Sequence, residues 1–174
     1  ILGGGFSGAA VALHLADAIP EGSAEIVVFE PRAELGRGLA YDSPDPAHRI
    51  NVPAARMSLF PDRPMDFEEW LSEQDAVAND PAARRPDGSL FPQRRIFGAY
   101  VASRLKPHLD ADRVVHRRTM VAGVRHSGEG WVITDGHGDE TRAAFVVIAT
   151  THPAPQPPRH LQARLAGHPR YVVD

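Results

Sequence analysis

The chain has 174 residues, of which 43% are apolar, 24% charged and 7% aromatic, with a formal net charge of -3 and no cysteine. That length suits one domain with a single sizeable core. The small charge gives no electrostatic footprint for nucleic acid, and the missing cysteine excludes disulfides, thiolate nucleophiles and Cys-ligated zinc.

No apolar run approaches the ~20 residues of a membrane span; the longest, Ala143 to Ala149, has the length of a strand. No basic, then apolar, leader opens the chain, so a soluble cytoplasmic protein is expected. Proline (16) and glycine (15) are both plentiful. Their placement suggests structured loops rather than disorder.

Ile1 and Leu2 read as the end of a strand, followed by Gly3-Gly-Gly-Phe-Ser-Gly8 and an alanine- and leucine-rich stretch with high helix propensity. Pro20 and Gly22 stop that helix. Glu25 to Glu30 is then a short β-branched strand that ends in an acid and is closed by Pro31. An ordinary first strand needs ~5 residues, so the true start is expected upstream of Ile1.

Gly3, Gly5 and Gly8 fit Gly-x-Gly-x-x-Gly inside a strand–turn–helix–strand frame. Gly3 permits the tight turn, Gly5 lets backbone approach a pyrophosphate, and Gly8 allows close helix–sheet packing. The exposed amides and the positive end of the helix dipole attract a diphosphate. Glu30, 22 residues beyond Gly8, stands near the ~20 expected for a carboxylate on adenosine ribose hydroxyls. Its charge favours a ribose diol over a 2′-phosphate, hence FAD or NAD over NADP. Arg32 complicates that choice, unless it is a solvated loop arginine.

Residues 31 to 65 are rich in proline and glycine and poor in periodicity, yet Leu39, Tyr41, Ile50, Val52, Met57, Leu59 and Phe60 point to an ordered covering segment. Gly36 and Gly38 allow backbone to approach a ligand, and Arg37 is placed to neutralise phosphate. The alternative is a proline-braced surface loop with Arg37 in solvent.

Asp66 to Leu71 predicts a short helix with Phe67, Trp70 and Leu71 on one face, and Pro81 to Pro86 a polar linker. Ile96 to Leu109 has apolar residues at spacings that suit one buried helix face. Arg94-Arg95 at its start opposes the dipole, which hints at an anion or acidic partner, or else is a solvated pair. Arg113 to His116, Met120 to Val124 and Trp131 to Thr134 read as strands separated by turns, and Ala143 to Ala149 as a continuous buried strand. The closing Tyr171 to Asp174 reads as a further strand beginning, so continuation past Asp174 is expected.

The order of these pieces resembles a bacterial FAD/NAD(P)-binding oxidoreductase family, the FAD-binding domain of two-dinucleotide-binding flavoproteins. The residues that carry the likeness are Gly3 to Gly8, Gly36-Arg-Gly-Leu-Ala-Tyr41, Asn51-Val-Pro53, Phe91-Pro-Gln-Arg94 with Phe97, Gly98 and Tyr100, and Ala149-Thr-Thr-His152. It implies an α/β fold, Rossmann-like, with a central parallel sheet and an antiparallel β-meander as crossover (strand, meander and return strand over 113–149). Residues 1–174 would form a single domain truncated at both ends.

The same resemblance implies FAD along the carboxyl ends of the sheet. Gly3, Gly5, Phe6, Ser7 and Gly8 would line the pyrophosphate turn, Glu30 the ribose, and Arg37 with Leu39 the covering loop. Val121 would meet adenine through backbone, and Thr150 would lie near the flavin. Thr151 stands where the family has glycine. With no cysteine, dithiol chemistry is excluded here, and no second glycine fingerprint for NAD(P)H follows, so NAD(P)H as donor is an expectation for residues beyond this segment.

The expected function is that of an FAD-dependent oxidoreductase or its dinucleotide-binding portion, monooxygenase-like chemistry included. The alternative is a non-catalytic FAD- or NAD(P)-binding, redox-sensing module. A methyltransferase fits the meander and the closing turn poorly, and no Gly-Lys-Ser/Thr marks a nucleotide triphosphatase. No catalytic acid or base is assigned. His152 is nearest the flavin turn, but a lone histidine before Pro153 is more often a turn residue. No metal-ligand spacing occurs.

Overall fold

Backbone pairing around Leu2 organises the parallel layer. The Leu2 amide donates to the Val147 carbonyl (2.8 Å) and the Ala149 amide to the Leu2 carbonyl (2.8 Å), while on the other side Gly3 donates to Phe29 and Phe29 to Ile1, both at 2.9 Å. The computed structural model describes residues 1–152 and 157–169. β1 (Ile26–Phe29) pairs in parallel with β2 (Val114–Arg117), Val28 facing His116. Leu2 adds parallel bridges to Phe29 and Ile148. Among the described residues the parallel sheet proper therefore has two strands, flanked by the Leu2 bridges.

A parallel pair needs a long crossover, and here the connection from β1 to β2 carries two α-helices, which pack with the helix that precedes β1. α1 (Phe6–Ala18) buries Ala9, Ala12, Leu13 and Ala16, an i, i+3, i+4, i+7 stripe. α2 (Asp66–Glu73) buries Phe67, Trp70 and Leu71. α3 (Arg94–Asp110) buries Phe97, Tyr100, Val101 and Leu105 and packs against α1. Their side chains form one core with Val28 and Val114. At its centre Phe97 lies 5.0 Å from Phe67, 4.7 Å from Tyr41 and 5.6 Å from Phe6, ring centre to ring centre.

The covering segment is ordered by that core: Leu35, Ile50, Ala54 and Leu59 are buried. Leu39 is the exception, at 71% exposed. The Tyr100 hydroxyl accepts the Leu59 amide (3.1 Å) and donates to buried Asp66 (2.7 Å), which also holds the guanidinium of Arg104 at 2.9 and 3.1 Å. Burial, helped by the Asp66 carboxylate, pushes the Tyr100 phenol up to about 12. Arg49 grips Asp80 with two bonds (3.0 and 2.8 Å) and donates to the Phe91 carbonyl (2.9 Å). The Pro81–Ala83 stretch is a 3-10 turn with Ala83 buried, not a polar linker.

The meander is β3 (Val121–Ser127), β4 (Gly130–Asp135) and β5 (Glu140–Ala143), antiparallel in that order. β5 ends where a buried strand was expected to start. Residues 144–149 lie beside Leu2, but Phe145 is 88% and Ile148 73% exposed, so the run is an edge segment rather than a covered strand. α4 (Arg159–Leu165) follows. The expected strand at Tyr171 to Asp174 lies outside the described residues, as does Pro153. Among the described residues no helix is long and apolar enough to cross a membrane, and no cluster of side chains could hold a metal.

Candidate functional site

The turn between Leu2 and α1 is built of glycine for steric reasons. Gly3 has φ +94°, and a Cβ there would lie 2.6 Å from the Ala149 carbonyl oxygen. A Cβ on Gly8 would overlap the Gly3 carbonyl oxygen, so α1 sits directly on the turn. Gly5 is the N-cap of α1, with no side chain capping it and no acid in the first turn. The first amides of a helix have no intrahelical acceptor. They and the helix dipole therefore remain available to an anion.

Glu30 is 5% exposed and closes the turn from the β1 side. Its Oε2 accepts the Gly4 amide (2.9 Å), and its Oε1 accepts the Arg32 amide (3.0 Å) and Nη1 (3.3 Å). The His116 ring bonds the Glu30 carbonyl at 2.9 Å. Arg32 is thus an exposed loop residue, its side chain 41% accessible, that also pairs with Glu30. Three donors leave part of the carboxylate's four acceptor positions free.

These groups open onto a cavity of about 790 Å³, within the ordinary range for a cofactor site. The glycine turn contributes Gly3, Gly5, Phe6 and Ser7 to its wall, and the β1 end contributes Glu30. Arg37 and Leu39 enter from the covering segment, Val121 from β3, and Thr150 from the turn after residue 149. Gly8 stands behind the wall, against Gly3. Arg37 is held by the Glu34 carboxylate and by the Arg95 carbonyl, so it is not free in solvent.

Other residues in and behind the cavity wall had weaker sequence signals or none. Gly4 carries the amide bonded to Glu30, and a Cβ on it would collide with Leu35 and lie 2.7 Å from the Glu30 Cβ. The glycine fingerprint treats that position as variable. Arg94 and His152 line the cavity and were legible as an ill-placed charge and a neighbour of the turn. Met120, 67% exposed, had no signal. Thr151 also lines the wall, its side chain standing where glycine would leave space.

A family model described as FAD-NAD(P)-binding matches residues 1–153. No curated protein matches the chain. Among solved structures, a mutant flavin monooxygenase from Stenotrophomonas maltophilia aligns with a TM-score of 0.55 and 24% identity, over 82% of this chain and 34% of that one. A Diels-Alderase of pyrroindomycin biosynthesis aligns at 0.45 with 20% identity, over 83% and 30% of the two chains. An amino acid oxidase essential for nikkomycin biosynthesis aligns at 0.48 with 15% identity, over 85% and 49%. The chain therefore spans from 30% to 49% of the length of these structures.

Proposed function

The chain belongs to the FAD-NAD(P)-binding family, and from that premise we propose that it is the FAD-binding part of an FAD-dependent oxidoreductase, arranged as a Rossmann-like domain. One observation carries the proposal. The uncapped start of α1, the Glu30 carboxylate and the turn at Thr150 open onto one cavity, although they lie far apart in sequence.

The wall suits the ADP half of a dinucleotide. A Cβ would fill the cradle at Gly3, and the α1 amides carry no protein cap, so a diphosphate can approach backbone directly. Glu30 would accept from the ribose hydroxyls while remaining bonded to Gly4. Val121, at the start of β3, would meet adenine through backbone. When bound, the flavin supplies the redox chemistry, and the protein supplies binding, orientation and electrostatics. Monooxygenase-like chemistry and reduction by NAD(P)H belong to the whole protein and are proposed for it on family grounds.

Reconstitution tests this. Purified apoprotein mixed with FAD should become yellow and stay so through desalting. A protein that stays colourless and shows no FAD titration by fluorescence quenching would overturn the proposal.

A further inference from the structure

Among the described residues three arginines line the cavity, and two are already neutralised by carboxylates: Arg32 by Glu30 and Arg37 by Glu34. Arg94 differs. Its Nε donates to the Arg49 carbonyl oxygen at 3.1 Å, and among the described residues neither of its terminal nitrogens meets an acceptor and no carboxylate pairs with it. It is half-buried and is the first residue of the 17-residue α3, where a positive charge opposes the helix dipole. Among the described residues no carboxylate compensates this cation. Glu30, the one acid in the cavity wall among the described residues, is already bonded to Gly4 and Arg32.

We infer that Arg94 is a binding residue for the negatively charged diphosphate of the adenine dinucleotide, opposing it from α3 while the α1 amides meet it from the glycine turn. This rests on the proposal that the cavity takes such a ligand. A guanidinium presents paired N–H groups that match two phosphate oxygens. The Nε bond to Arg49 fixes the plane of that fork before the ligand arrives, which reduces the ordering cost of binding.

Calorimetric titration of ADP and adenosine into the intact chain separates charge recognition from architecture. Arg94→Gln can still donate to the Arg49 carbonyl but carries no charge, whereas Arg94→Lys keeps the charge and loses the fork. For Arg94→Gln, ADP affinity should fall about ten- to hundredfold while adenosine affinity changes less than about twofold. The salt dependence of ADP binding should become shallower, and Arg94→Lys should recover part of the loss. Equal weakening of ADP and adenosine, or ADP binding like that of the wild type, would overturn the inference and leave the FAD proposal standing. A wild-type chain that binds neither ADP nor FAD would overturn both.

Discussion

Glu30 serves fold and site with one carboxylate. Removing it strands the Gly4 amide, a buried donor whose loss of a partner costs about 1–3 kcal/mol. The ribose contact it is proposed to make is of the charge-assisted kind, about 1.5–3 kcal/mol. Glu30→Ala should therefore lower both the denaturant midpoint and FAD affinity. Glu30→Gln, which keeps an acceptor for Gly4 but not the charge facing Arg32, should regain stability more than affinity. Unchanged stability and affinity in the alanine variant would remove Glu30 from both roles. Because the Arg32 guanidinium lies 3.3 Å from the same carboxylate, the charge met by an incoming ribose is already partly offset. The sequence alone did not specify this pairing, since an arginine two residues after an acid points as readily into solvent.

At the scale of elements, what was legible was what repeats locally. The alanine- and leucine-rich stretch after Gly8 and the apolar spacing at 96, 97, 100, 101 and 105 announce two helices. The structure forms both, burying Ala9, Ala12, Leu13 and Ala16 in the first and Phe97, Tyr100, Val101 and Leu105 in the second, with Ile96 half-buried. The continuous run 143–149 carries no such periodicity. A covered strand and an edge segment read alike, and only the missing layer over Phe145 and Ile148 distinguishes them. In the covering segment the apolar residues foretold order, but its clamps are long-range. Leu59 meets Tyr100 and Arg49 meets Asp80, 41 and 31 residues apart, which no local pattern contains.

The second clamp should show in acid. The Arg49 guanidinium bonded to Asp80 holds that carboxyl below its ordinary value. The folded state thus binds the proton less readily than the unfolded chain. The stabilisation is complete above the ordinary carboxylate value of about 3.9 and is lost as the pH falls below it towards the folded value. Asp80→Asn should lower the urea midpoint near neutrality and flatten its decline below about pH 4. Parallel midpoint–pH profiles for variant and wild type would show that the pair contributes nothing.

At the scale of the whole molecule, two kinds of apolar side chain coexist. Val28 and Leu105 are fully buried, whereas Phe145 and Ile148 meet mainly solvent. In the 174-residue chain, Phe145→Ser or Ile148→Ser should change stability by less than about 0.5 kcal/mol, as surface substitutions do. Val28→Ala should cost more, about 1–3 kcal/mol, by emptying core volume. Denaturant titration of the three variants checks the contrast, and a serine variant as damaging as Val28→Ala would mean that the edge segment is covered after all. The site itself is closed where Gly38 of the covering segment meets Gly5, a Cβ on Gly38 falling 2.9 Å from the Gly5 Cα. Two bare backbones in contact leave evolution no trimming room: a lesion at one has no neighbouring side chain whose shortening could relieve it, so rescue must come by true reversion or by rebuilding the path of the loop.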